Sequence, residues 1–387
     1  MQIRLSRKIQ SLPPYLFLEI DKAKRRARAQ GKDIIDLGVG DPDQPTPRHI
    51  IAALYQAAQD PVNHRYALDQ GMPALRVSIA GWYKRRFNVT LNPDTEVLPL
   101  IGSKEGLAHL PLGFLDAGDY SLVPDPCYPP YKGGTILAGG KPYLMPLLES
   151  NGFLPDLKKI PAAIRKKSKL LFINYPNNPT AATAEKSFYK EVIQFAKRHK
   201  IIIVSDLAYS EIAFDGYRPS SILEVEGARD VAVEFHSLSK TYNMTGWRIG
   251  WASGSAEIIK SLAKIKSNID SGIFSAVQLA GIAALEGPGV HLRNMCKLYQ
   301  ERRDTLITGL KSLGWQVNSP KATFYAWIKV PKRTDSINFS GFLLDKAGIV
   351  VTPGVGFGKH GEGYIRMALT LPEERIKEAL GRIKKII

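Results

Sequence analysis

The residues best suited to chemistry lie in the run Ser237-Leu238-Ser239-Lys240-Thr241-Tyr242-Asn243-Met244-Thr245-Gly246-Trp247-Arg248, where one lysine stands between hydroxyl side chains and an arginine follows eight positions later. A lysine amine becomes a useful nucleophile when its ordinary pKa of about 10.4 is lowered, and a Schiff base to an aldehyde achieves this by changing the nitrogen itself. Hydroxyls and a guanidinium beside it would grip a phosphate. The run reads as a place to hold a phosphorylated aldehyde.

Such a lysine needs company, and in an open α/β sheet the ligand sits beyond the carboxyl ends of the strands. Val97 to Ile101, Tyr120 to Val123, Lys169 to Asn174, Ile201 to Ser205 and Val231 to His236 read as buried strands alternating with helical patterns. This predicts an α/β fold with a mostly parallel sheet flanked by helices. After the first strand, Gly102-Ser103-Lys104-Glu105-Gly106 leads into a helix with Leu107, Leu110 and Phe114 on one face. Its free N–H groups would bind an anion, or Ser103 is an ordinary cap. Tyr128, in Pro124-Asp125-Pro126-Cys127-Tyr128-Pro129, would stack on a planar ring or merely shape a turn. Asn178, in Tyr175-Pro176-Asn177-Asn178-Pro179-Thr180, would donate to a ring oxygen and a substrate carboxylate, unless the segment is simply a turn. Asp206 at a strand end needs a cation, which a protonated pyridine nitrogen or a nearby arginine would supply, and Tyr209 could bond the ring's phenolic oxygen.

In this order the set resembles the fold-type I, pyridoxal-phosphate-dependent class I/II aminotransferases over nearly the whole chain. The resemblance implies Lys240 as the Schiff-base lysine and proton shuttle, Asp206 as the pyridinium partner, and Tyr209 with Asn178 on the ring oxygen. It places Tyr128 on the ring face and Ser103, Lys104, Ser237, Ser239 and Arg248 around the phosphate. Tyr66, in His64-Arg65-Tyr66, is similar to the tyrosine that reaches the phosphate of the neighbouring subunit's cofactor, which implies a homodimer with shared active sites. Arg366, in Gly363-Tyr364-Ile365-Arg366-Met367-Ala368, resembles the arginine that binds the substrate α-carboxylate, and Gly40 the glycine that lets backbone approach substrate. The arm Leu12 to Phe17, the loop Asp36 to Asp43, the run Phe235 to Arg248 and Lys264 to Gly272 look like the LL-diaminopimelate aminotransferases, which adds Tyr15 and Lys104 as substrate contacts. The expected reaction is ping-pong transfer of an amino group between an amino acid and a 2-oxo acid, with tetrahydrodipicolinate and glutamate as the favoured pair. Aspartate, alanine or aromatic substrates are the alternative within the class; a pyridoxal-phosphate β-lyase and a non-enzymatic binding protein lie further away. Ala181 and Cys127 stand where such chains commonly have glycine, and Leu207 replaces a smaller or polar residue.

The rest of the chain fits. Its 387 residues, 44% of them apolar, predict two domains: a large cofactor-binding domain over 46–285, a smaller α+β domain over 286–387, and an arm and helix over 1–45 joining the smaller one. Two cysteines make no disulfide framework and fit a reducing cytoplasm. The formal charge of +17 is spread over helix-like stretches such as Lys22 to Arg28, as on a solvated surface rather than a nucleic-acid site. No signal peptide, membrane span or metal motif is read.

Overall fold

The computed structural model describes residues 3–13, 16–67, 69–331 and 334–387. Seven strands form its main sheet, in the spatial order Val97–Leu100, Gly250–Gly254, Ala232–Ser237, Ile202–Asp206, Ser168–Asn174, Tyr120–Asp125, Lys141–Pro146. Gly250–Gly254 runs antiparallel to both its neighbours, while the other pairings are parallel. Lys141–Pro146 and Gly250–Gly254 escaped the sequence reading, because the first is largely unburied along its length and the second is rich in small residues.

The central strands are buried and largely apolar because both faces of the sheet are covered there. Successive residues point to opposite sides, so Leu171, Ile173 and Ile203 enter one buried cluster with Trp82 and Val192, while Leu170, Phe172 and Val204 enter another with Leu107 and Leu262. The helix Lys186–His199 packs on the sheet through Phe188, Tyr189, Val192, Ile193 and Ala196, and ends with Lys200 at φ 56° after Lys197, Arg198 and His199. Basic residues there meet the negative end of the helix dipole.

A separate cluster joins the two ends of the chain. Ile35 and Leu37 pack with Met295, Tyr299, Leu306, Tyr325, Ile328, Leu343, Ile365 and Ile376. Ile35–Asp36 pairs in parallel with Ile349–Val350, beside a three-stranded antiparallel sheet of Thr352–Pro353, Tyr364–Ala368 and Tyr325–Lys329. The helices Val290–Ser312, Ser336–Ala347 and Glu373–Lys384 complete this part. Among the described residues no helix is long and apolar enough to cross a membrane, and no cluster of His, Cys, Asp or Glu could hold a metal.

Candidate active site

The carboxyl ends of the central strands and the Leu37–Gly40 segment enclose a cavity of about 320 Å³. Twelve of the residues singled out by sequence line it: Gly40, Ser103, Lys104, Tyr128, Asn178, Asp206, Tyr209, Ser237, Ser239, Lys240, Arg248 and Arg366. Tyr66 does not. Its ring is 92% exposed and borders a shallow depression with His64, Arg65 and Ser271 to Phe274. Tyr15 lies outside the described residues.

Lys240 sits in the short helix Leu238–Thr241, which Ser237 caps by accepting from Ser239 N–H at 3.2 Å. Its Nζ reaches across the cavity to donate to the Gly40 carbonyl at 3.0 Å. Burial, opposed by Asp41 and helped by the positive charges of Arg366 and Arg248, pulls its pKa down to about 8. Gly40 has to be glycine here, since a Cβ would overlap the Tyr325 hydroxyl.

At the opposite wall, Asp206 is the last residue of its strand rather than the first beyond it. One oxygen accepts from Tyr131 O–H at 2.7 Å, the other from Ala208 N–H at 3.2 Å. Among the described residues no cation forms a salt bridge with it, and burial raises its pKa. A buried carboxylate so placed calls for a cationic ligand group. Tyr209 shares a hydrogen bond of 3.2 Å with Tyr325. Tyr128 is half-buried and meets Tyr131 edge-on, with ring centroids 5.8 Å apart.

The third wall suits an anion. Gly102, at φ 77°, precedes the helix Ser103–His109, so the cap is Gly102 and Ser103 is the first helical residue. The Arg248 guanidinium occupies the space a Gly102 side chain would fill, and donates to Thr245 O at 2.8 Å. Gly250 packs so tightly that a Cβ there would lie 2.8 Å from Ser103 N. Arginine, backbone N–H and the Ser237 and Ser239 side chains thus converge on one corner, the donor set for a phosphate.

Arg366, only 2% exposed, closes the cavity from the C-terminal sheet. Its guanidinium lies 4.1 Å from the Tyr325 ring centre and 4.7 Å from that of Phe357, and donates to Asn178 Oδ1 at 2.7 Å and Gly38 O at 2.8 Å. Asn178 is held in turn by its N–H on Asn174 Oδ1 at 2.8 Å. Tyr131, Tyr325, Asp41, Asn174 and Thr245 were not read from sequence. Only Tyr131 left a signal, standing one helical turn after Tyr128 in the helix Pro129–Leu137. Ala181 adopts φ 57°, the left-handed conformation that a glycine would take freely, while Cys127 and Leu207 are simply buried.

The family model for aminotransferase class I and II matches residues 32–383. A protein of Syntrophobacter fumaroxidans named LL-diaminopimelate aminotransferase is 57% identical over 379 residues, covering 98% of both chains. One of the same name from Desulforudis audaxviator is 55% identical, covering 98% of this chain and 97% of that one. The solved structure of substrate-bound BacF from Bacillus subtilis superposes with a TM-score of 0.95 at 41% identity, over 100% of this chain and 98% of that one.

Proposed function

The chain belongs to the class I and II aminotransferases, pyridoxal 5′-phosphate enzymes of amino-acid and 2-oxo-acid exchange, and on that premise we propose that it is an LL-diaminopimelate aminotransferase. The reaction is amino transfer from glutamate to tetrahydrodipicolinate, giving LL-diaminopimelate and 2-oxoglutarate for lysine biosynthesis. The observation that carries this reading is identity of 53–57% with several relatives of that name over nearly their whole length.

The cavity fits the cofactor: a buried carboxylate at Asp206 with no salt bridge among the described residues suits the ring nitrogen, and the Gly102, Ser103, Ser237, Ser239 and Arg248 corner suits the phosphate. When bound, pyridoxal phosphate supplies an aldehyde for the amino group and a ring that accepts electrons. Asp206 keeps the ring nitrogen protonated, with Tyr131 fixing the carboxylate. Asn178 and Tyr209 line the same cavity and would donate to the ring oxygen, and Tyr128 would cover the ring face. Lys240, its basicity already lowered by burial, would take the proton from the substrate Cα and hold it for return. Arg366 grips the α-carboxylate with both arms, its guanidinium held against the Tyr325 and Phe357 rings. Gly40 leaves room for substrate, and Lys104 and Tyr15 serve its distal end by resemblance.

We extend the reading to the assembly. Tyr66 is exposed and does not line its own cavity, which supports a role on a partner subunit's phosphate and hence a homodimer with shared sites. The sharing of one apolar cluster by Ile35, Leu37 and the C-terminal helices supports the division into 46–285 and a smaller unit of 286–387 joined by 1–45. The protein works in the cytoplasm.

The test is a half-reaction screen in which the holoprotein is mixed with single amino acids and the cofactor absorbance near about 400 nm, as expected of its lysine-bound form, is followed. LL-diaminopimelate and glutamate should bleach it fastest. A faster response to aspartate, alanine or an aromatic amino acid, with none to LL-diaminopimelate, would replace this substrate assignment.

A further inference from the structure

Lys266 ends the helix Ala256–Lys266 and is only 1% exposed, although it touches nothing in the cavity. A buried ammonium persists only with partners. Its Nζ donates to Glu105 Oε1 at 3.3 Å and to Asp270 Oδ1 at 2.5 Å. Each carboxylate is also bound to backbone. Glu105 accepts from Ile101 N–H at 2.5 Å, directly before Gly102, Ser103 and Lys104. Asp270 accepts from Gly272 N–H at 2.8 Å, holding the turn that leads to Ile273 and Phe274. His109 faces the same cluster and feels both Lys266 and Asp270.

The two tethered segments serve different places. One is the anion corner of the cavity. The other lines the depression beside Tyr66, on a face where Ile269 and Phe274 are 47% and 46% exposed. We propose that Lys266 is a positioning residue that ties the Gly102–Lys104 turn to the Asp270–Phe274 loop, so that phosphate binding and pairing of two chains through the Tyr66 face are coupled. The inference rests on the cofactor and dimer reading above. Without the ammonium, two carboxylates repel in a site with little water, and both the turn and the loop lose their anchor. Coupling of this kind is reciprocal, so cofactor strengthens pairing by the same factor as pairing strengthens cofactor binding.

The experiment titrates pyridoxal phosphate into the cofactor-stripped full-length protein and measures self-association by sedimentation with and without cofactor. Lys266→Met should weaken cofactor binding and pairing, each on the order of tenfold. Lys266→Arg should recover most of both losses. Asp270→Asn should weaken cofactor binding in the same direction although Asp270 does not line the cavity, an effect that mere loss of stability would not produce. If Lys266→Met does not fold, Asp270→Asn decides alone. Wild-type cofactor affinity and pairing in Asp270→Asn would overturn the coupling. A wild-type protein that neither binds pyridoxal phosphate nor pairs would instead refute the proposed function, and this inference with it.

Discussion

Replacing Lys240 by methionine should make the cofactor-free protein more stable at neutral pH, and less so as the solution turns alkaline. Burial holds the Lys240 amine at a pKa of about 8, against 10.5 for a free lysine. At about 1.4 kcal/mol for each tenfold change in proton affinity, the charged amine costs the folded state about 3 kcal/mol at pH 7. The sign follows from proton counting. Below pH 8 both states are charged and the cost is borne in full. Between pH 8 and 10.5 the unfolded chain binds more protons than the folded one, so stability rises with pH. By pH 10 about 2.5 kcal/mol of the cost should be gone. Lys240→Met has no such group and lacks this rise, while other titrating residues contribute alike to both proteins. Urea unfolding of both cofactor-stripped proteins at pH 7 and pH 10 measures the difference directly. A stability gap between them that does not change with pH would refute the claim that the empty cavity desolvates the amine, and with it the account of why Lys240 is reactive.

Substitutions at two further positions probe geometry. Arg366→Lys keeps the charge but loses the two-armed grip and the guanidinium's contact with the Tyr325 and Phe357 rings, so kcat/KM should fall by about 2 kcal/mol, roughly thirtyfold. Cofactor affinity should be unchanged, and an equal loss of both would contradict the assignment of Arg366 to substrate. Ala181 holds φ 57°, so Ala181→Val should destabilise by about 1–2 kcal/mol. Ala181→Gly should stay within about 1 kcal/mol of wild type, because relief of strain offsets the extra freedom of the unfolded chain; both are read from urea midpoints.

What was legible in the sequence was whatever hangs on a buried strand. Continuous apolar runs marked the strands ending near Leu100, Asn174, Asp206 and Ser237, and Ser103, Asn178, Asp206 and Lys240 follow from counting to their carboxyl ends. Tyr131 escaped because a tyrosine in a helix among prolines and glycines looks structural until its partner Asp206 is placed at 2.7 Å. Tyr325 escaped for a different reason: it reaches the cavity only once a strand of the C-terminal sheet has folded against Tyr209. Apart from Trp251, Gly250–Gly254 lacks the long apolar side chains that announce a strand, yet its small residues let it pass behind the Gly102 turn.

The short stretch Leu37–Gly40 is bonded almost entirely to chain made long afterwards. Leu37 N–H donates to Val350 O and Leu37 O accepts from Ala368 N–H; Gly38 O accepts from Thr352 and Arg366, and Val39 O from Thr370. During synthesis these carbonyls must wait for more than three hundred residues before their partners leave the ribosome. The seven-stranded sheet can assemble first, but the floor beneath Lys240 cannot. A nascent chain therefore carries its reactive lysine in an open, water-filled cleft until about residue 370 has emerged. The wall of the cavity that faces Lys240 is thus completed late, with the closing of a loop between distant parts of the polypeptide.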